Sequence, residues 1–75
     1  MPAMATYRLE VLEPPYERLR HRREFQSPSD VEAIRRADEL YRQFAEGVVL
    51  DRYVLYEGSR VVHEYVTPKR NANRT

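Results

Sequence analysis

The sequence predicts an α+β domain of order β-β-α-β-β, with one helix packed on a four-stranded, mostly antiparallel sheet. Three observations carry this. An alternating segment near the start is closed by a proline pair, a capped stretch with helical spacing fills the middle, and two alternating segments flank a Gly-Ser dipeptide. Seventy-five residues leave room for one domain, assigned to residues 6–67. Residues 1–5 are expected to form a flexible leader, with Met4 a second potential start, and residues 68–75 a flexible basic tail.

The first strand is Tyr7–Leu12, YRLEVL. Tyr7, Leu9 and Val11 alternate with Arg8 and Glu10, which marks a half-buried strand. Pro14-Pro15 then forces a turn, because neither proline can donate a ladder hydrogen bond. In the second segment, Glu17–Gln26, Leu19, His21, Arg23 and Phe25 share one face. Arg18, Arg20, Arg22 and Glu24 share the other. That much charge suits an edge strand.

The helix follows. Ser29 with Glu32 forms a capping box, and Ser27 with Pro28 at the first helical position competes with it. Ile34, Ala37, Tyr41 and Phe44 keep helical spacing, widened by Ala33, Leu40 and Ala45. The outer face reads as i,i+4 pairs: Glu32–Arg36, Arg35–Glu39, Asp38–Arg42 and Arg42–Glu46. Gly47 is expected at C′.

Val48–Tyr56 and Arg60–Val66 are read as the last two strands. Gly58-Ser59 suits a two-residue type II′ loop, with glycine first. That loop sets Glu57 opposite Arg60, Tyr56 opposite Val61 and Leu55 opposite Val62. A helical crossover returns the third strand parallel to the second, so it fits antiparallel beside the first. The resulting spatial order is 2-1-3-4.

In YRLEVL, SDVEAIRRADELYRQFAEG and DRYVLYEGSRVV the chain resembles a group of small uncharacterised bacterial β-β-α-β-β proteins of unknown function. The likeness spans roughly residues 6 to 66, and the chain departs from it in the PPY turn and the basic second strand. The resemblance implies the fold and supplies no activity, ligand or site.

The chain carries a net charge of +1, unevenly placed. The tail PKRNANRT holds three of the thirteen basic groups, leaving ten against all twelve acidic ones in residues 1–67, a balance of −2. The longest apolar run is the four residues Tyr53–Tyr56, so no segment is expected to span a membrane as a helix. The N-terminal stretch lacks a signal-peptide core. A soluble, cytoplasmic protein is expected.

Nothing in the sequence marks an enzyme. There is no cysteine, no glycine-rich phosphate loop and no nucleophile elbow. Ser27, Ser29 and Ser59 are explained as caps or turn residues. His21 and His63 are the two histidines, and VHEY lacks the second histidine of a helical zinc motif. No catalytic, metal or cofactor residues are assigned.

The informative feature is the last hairpin, where both faces of the pleat are apolar. Four strands spaced about 4.8 Å apart make a sheet nearly 20 Å wide. One helix of about 10 Å diameter can cover a single face. The other face is charged on the first two strands and apolar on the last two. Val54, Tyr56, Val61, His63 and Tyr65 are therefore the expected partner interface of a non-enzymatic interaction module. A second copy is the simplest occupant, met through the sheet face, the fourth-strand edge or both. The alternative is weak nucleic-acid binding by Arg18, Arg20 and Arg22 with Lys69 and Arg70. A body with net negative charge argues against it.

Overall fold

The computed structural model describes residues 3–14 and 18–67. The elements are β1 (Ala5–Glu13), β2 (Arg18–Ser27), α1 (Asp30–Phe44), β3 (Arg52–Glu57) and β4 (Arg60–Val66). The four strands form one sheet of order β2-β1-β3-β4, and every neighbouring pair is antiparallel. The topology is the one the sequence predicts. Pro15, Tyr16 and the tail from Pro68 onward, with Lys69 and Arg70, lie outside the described residues.

β1 begins at Ala5, inside the expected leader, because Ala5 and Thr6 pair with Ser27 and Gln26. Its inward residues Tyr7, Leu9 and Val11 are all buried. α1 starts where the capping box places it: Ser29 is the N-cap, and its side-chain oxygen accepts from the Glu32 backbone N–H at 3.2 Å. The helix ends one residue earlier than Gly47 implies. Ala45 is the C-cap, its N–H bonded to the Tyr41 carbonyl at 2.9 Å. Gly47 takes φ +72 two residues beyond it, in the left-handed region a glycine tolerates.

The helix buries Ala33, Ala37, Leu40 and Tyr41 against Leu9, Val11, Tyr53 and Leu55. Small residues at 33 and 37 let the helix lie close on the sheet, while Ile34, Phe44 and Phe25 pack around the margin. On its outer face Glu32 pairs with Arg35, three residues on, at 3.8 Å. Asp38, expected to pair with Arg42, accepts the Tyr53 hydroxyl.

Three tyrosines sit in this core, and each phenol has a partner, as burial of a polar tip requires. Tyr7 donates to Asp30 Oδ1 at 2.7 Å, Tyr53 to Asp38, and Tyr41 shares a hydrogen bond with Thr67 Oγ1. The Asp30 hydrogen bond, helped by burial, pushes the Tyr7 phenol up to about 12. Burial, then the Asp38 contact, raises Tyr53 as well. Asp30 also receives both terminal nitrogens of Arg60, at 3.1 and 3.3 Å. It thereby ties the helix start to the hairpin tip, and Arg60 and then Tyr7 hold its carboxyl below the usual range.

Three expectations about the strands are corrected. Val48–Leu50 is not strand: β3 begins at Arg52, and the preceding residues form a connection that drops Leu50 into the core. The apolar triplet is explained by that one anchor, since Val49 is 77% exposed. In β2 the register shifts between Val11 and Leu12, so that His21 faces Val11 but Leu19 faces Leu12. Arg20 is the extra residue, and Leu19 leaves the face shared by His21, Arg23 and Phe25. In β4 the shift falls between Leu55 and Tyr56: Val61 faces Tyr56 as expected, but His63, not Val62, faces Leu55. Val62 is the extra residue of a bulge.

Candidate functional site

The β4 bulge decides which side chains the hairpin offers to a partner. Above it, Val61 lies with Tyr56 on the face away from the helix. Below it, His63 and Tyr65 lie opposite Leu55 and Tyr53 on the helix face, and Glu64 and Val66 lie on the outer face. Val62 packs against the core from the helix side. The five residues expected to make one interface are therefore divided. Val54, Tyr56 and Val61 point outward, while His63 and Tyr65 point toward the helix layer.

The outer face is also less bare than its alternation suggests. Val54 lies between Glu10 on β1 and Glu64 on β4. Glu10 is ion-paired with Arg8 at 2.9 Å, and Glu64 with Arg52. Beneath these two pairs Val54 is only 7% exposed, although it belongs to no part of the helix-side core. Tyr56 carries the Arg8 guanidinium over its ring at 4.4 Å, a cation–π contact. The long arginine stems thus cover much of the apolar surface that the sequence leaves open.

Exposed apolar surface remains at the rim, along β4. Val61 is 55% exposed and Val66 57% on the outer side, and Tyr65 is 38% exposed on the helix side. Beside Tyr65 an open cleft of about 440 Å³ runs between the C-terminal half of α1 and β4, lined by Tyr41, Val48, Val49 and His63 among others. Tyr65 meets Tyr41 edge-on at 5.7 Å and stacks on Tyr53 at 5.8 Å. Val48, Val49 and Val66 were not assigned to the interface from sequence. The available signal was the run Val48-Val49-Leu50, in which only one residue can be the anchor.

Backbone geometry gives this rim a direction. The Thr67 N–H donates to the Asp51 carbonyl at 2.9 Å. These two residues continue the pairing of Arg52 with Val66 and Tyr53 with Tyr65. Hydrogen-bonded and non-hydrogen-bonded pairs alternate along an antiparallel ladder. Tyr65–Tyr53 is therefore a hydrogen-bonded pair, and the N–H and C=O of Glu64 and Val66 point away from the sheet. The edge of β4 is a short row of donors and acceptors beside exposed valines and a tyrosine.

The other edge, β2, differs in charge. Arg18, Arg20, Arg22 and Arg23 are all exposed along it. Arg20 lies 3.7 Å from Glu13, and Arg22 stands opposite Glu10, which already pairs with Arg8. His21 stacks on Phe44 at 4.0 Å, a packing role at the helix margin. Among the described residues no three histidine or acidic side chains group as metal ligands, and no helix is long and apolar enough to cross a membrane.

No family model, curated protein or solved structure matches the chain.

Proposed function

We propose that the chain is a non-enzymatic protein-interaction module that associates with a second copy of itself through the β4 edge of its C-terminal hairpin. One observation carries this proposal. Both charged residues of β4 are satisfied within the chain, Arg60 by Asp30 and Glu57 and Glu64 by Arg52. The edge consequently presents Val61, Tyr65 and Val66 with no uncommitted charge to ward off another strand, which is the usual defence of an exposed edge. β2, with its four arginines, has that defence and would repel its own copy. A domain of this size, without disulfides, also has stability to gain from a second subunit.

Molar mass by light scattering across a wide concentration range tests the proposal. A mass rising to twice that of the chain is expected, and it should persist in high salt because apolar contacts and backbone hydrogen bonds are not screened. A single-chain mass at every concentration would overturn it. Nucleic-acid binding through Arg18, Arg20 and Arg22 has weaker support, since neighbouring glutamates offset part of that charge. Phosphate contacts would also make such binding fade steeply with salt.

A further inference from the structure

We infer that the two copies join β4 to β4 antiparallel with Tyr65 on the two-fold axis, which merges the sheets into one of eight strands. The inference rests on the proposal that the partner is a second copy. It follows from which side chains and backbone groups of this strand can face themselves.

In an antiparallel pair, directly opposed residues share a face, so a two-fold axis through the sheet must pass at a residue rather than between two. On the C-terminal side of the bulge, where the strand is regular, four positions are available: His63, Glu64, Tyr65 and Val66. With the axis at His63, Glu64 on the outer face would stand opposite Val62 of the second copy, which the bulge has turned to the helix face. With the axis at Glu64, two carboxylates would be directly opposed, which destabilises a sheet, and Val66 would meet the same misdirected Val62. With the axis at Val66, Glu64 would face residue 68, a proline with no N–H to give.

The axis at Tyr65 has none of these faults. Glu64 then stands opposite Val66 of the second copy, and Val66 opposite its Glu64. The outward backbone groups of both residues are used in four N–H···O=C bonds. His63 meets Thr67, both on the helix face. Tyr65 meets its own copy in a non-hydrogen-bonded pair, the closer of the two pair types. The existing Tyr53–Tyr65 stack would thereby extend across the axis into a row of four rings. Because the axis is perpendicular to the sheet, both helices fall on the same side. The two clefts beside Tyr65 then open toward each other over the joint, with Val49 at the mouth of each.

The chain contains no cysteine, so a single introduced thiol reports its own neighbour. The full chain carrying Tyr65→Cys, under mild oxidation, should convert nearly completely to a disulfide-linked pair. Opposed Cα atoms in such a pair lie about 4.5 Å apart, at the near edge of the disulfide range. Independently of the aromatic ring, Glu64→Cys mixed with Val66→Cys should cross-link, while neither alone exceeds background. If the natural chain has twice the single-chain mass but both cross-links fail, or Glu64→Cys links to itself more than to Val66→Cys, the register is wrong and the dimer survives. A natural chain that stays single removes the dimer and the register together.

Discussion

Replacing Val66 with glutamate places a charge at the centre of the expected joint while barely touching the single subunit. Val66 is 57% exposed on an edge strand. Full burial of a valine side chain contributes roughly 1.5–2 kcal/mol, so covering the part now exposed is worth about 1 kcal/mol per copy and about 2 for the pair. Glutamate forfeits that and stands opposite Glu64 of the second copy at two symmetric places, adding about 0.5–1 kcal/mol each. A total of about 3–4 kcal/mol raises Kd by two to three powers of ten. Within its own chain residue 66 faces Arg52, which accommodates a carboxylate, so the fold should persist. Val61→Glu is the matched control. It has nearly the same exposure, 55%, and the same strand, but lies beyond the paired segment and should weaken association less than tenfold. Sedimentation equilibrium on the natural chain and both variants reads the comparison. Equal weakening by the two variants would refute the register, and indifference to both would refute the β4 edge.

Other perturbations address the fold. Ser29→Ala removes the N-cap acceptor for the Glu32 N–H and should lower stability by about 1 kcal/mol, read as a shifted urea midpoint with unchanged slope. Leu50→Ala empties the anchor of the helix-to-β3 connection, where Leu50 is buried. Its cost of about 2–5 kcal/mol threatens a domain this small, and circular dichroism would show the loss. Tyr7 ionises in the fold only toward about 12, against about 10 when unfolded. Its stabilising contribution is whole below pH 10 and is lost as pH rises toward 12. Tyrosinate absorbance should show a late step that Tyr7→Phe shrinks by one phenol, leaving the raised Tyr41 and Tyr53. Asp30 behaves oppositely: its carboxyl is held low by Arg60 and Tyr7. Its contribution is present above about pH 4 and fades as acid drives pH through the lowered value. Asp30→Asn should flatten that part of an acid-unfolding curve.

The elements with a local signal were legible. Ser29 and Glu32 fix the helix start, Gly58 with φ +62 fixes the hairpin turn, and the alternation of Tyr7, Leu9 and Val11 fixes the inner face of β1. The strand order followed from these and from the crossover. What escaped depends on pairings that alternation cannot encode. A bulge leaves no mark on hydrophobic spacing, so Leu19 and Val62 were given the wrong relation to their strands, and His63 and Tyr65 were grouped with Val61 on one side. Val48-Val49-Leu50 has strand composition, yet only Leu50 reaches the core, because the chain must first return from the helix end to the sheet. At the candidate site β4 was recognised as the vulnerable edge. The roof over Val54 was not, since Arg52 and Glu64 are twelve residues apart and share a face only through the bulge.

That extra residue also governs which changes in length the hairpin can absorb. Removing Val62 would straighten β4 and still leave His63, Glu64, Tyr65 and Val66 across from Leu55, Val54, Tyr53 and Arg52, their present neighbours. The loss would be confined to one side chain at the core margin. Removing Val54 from β3 would make Tyr53 and Leu55 consecutive and turn one of these two fully enclosed residues into water. A chain shortened at 62 should still melt cooperatively and one shortened at 54 should not, so at 62 a shortened relative could keep the whole ladder.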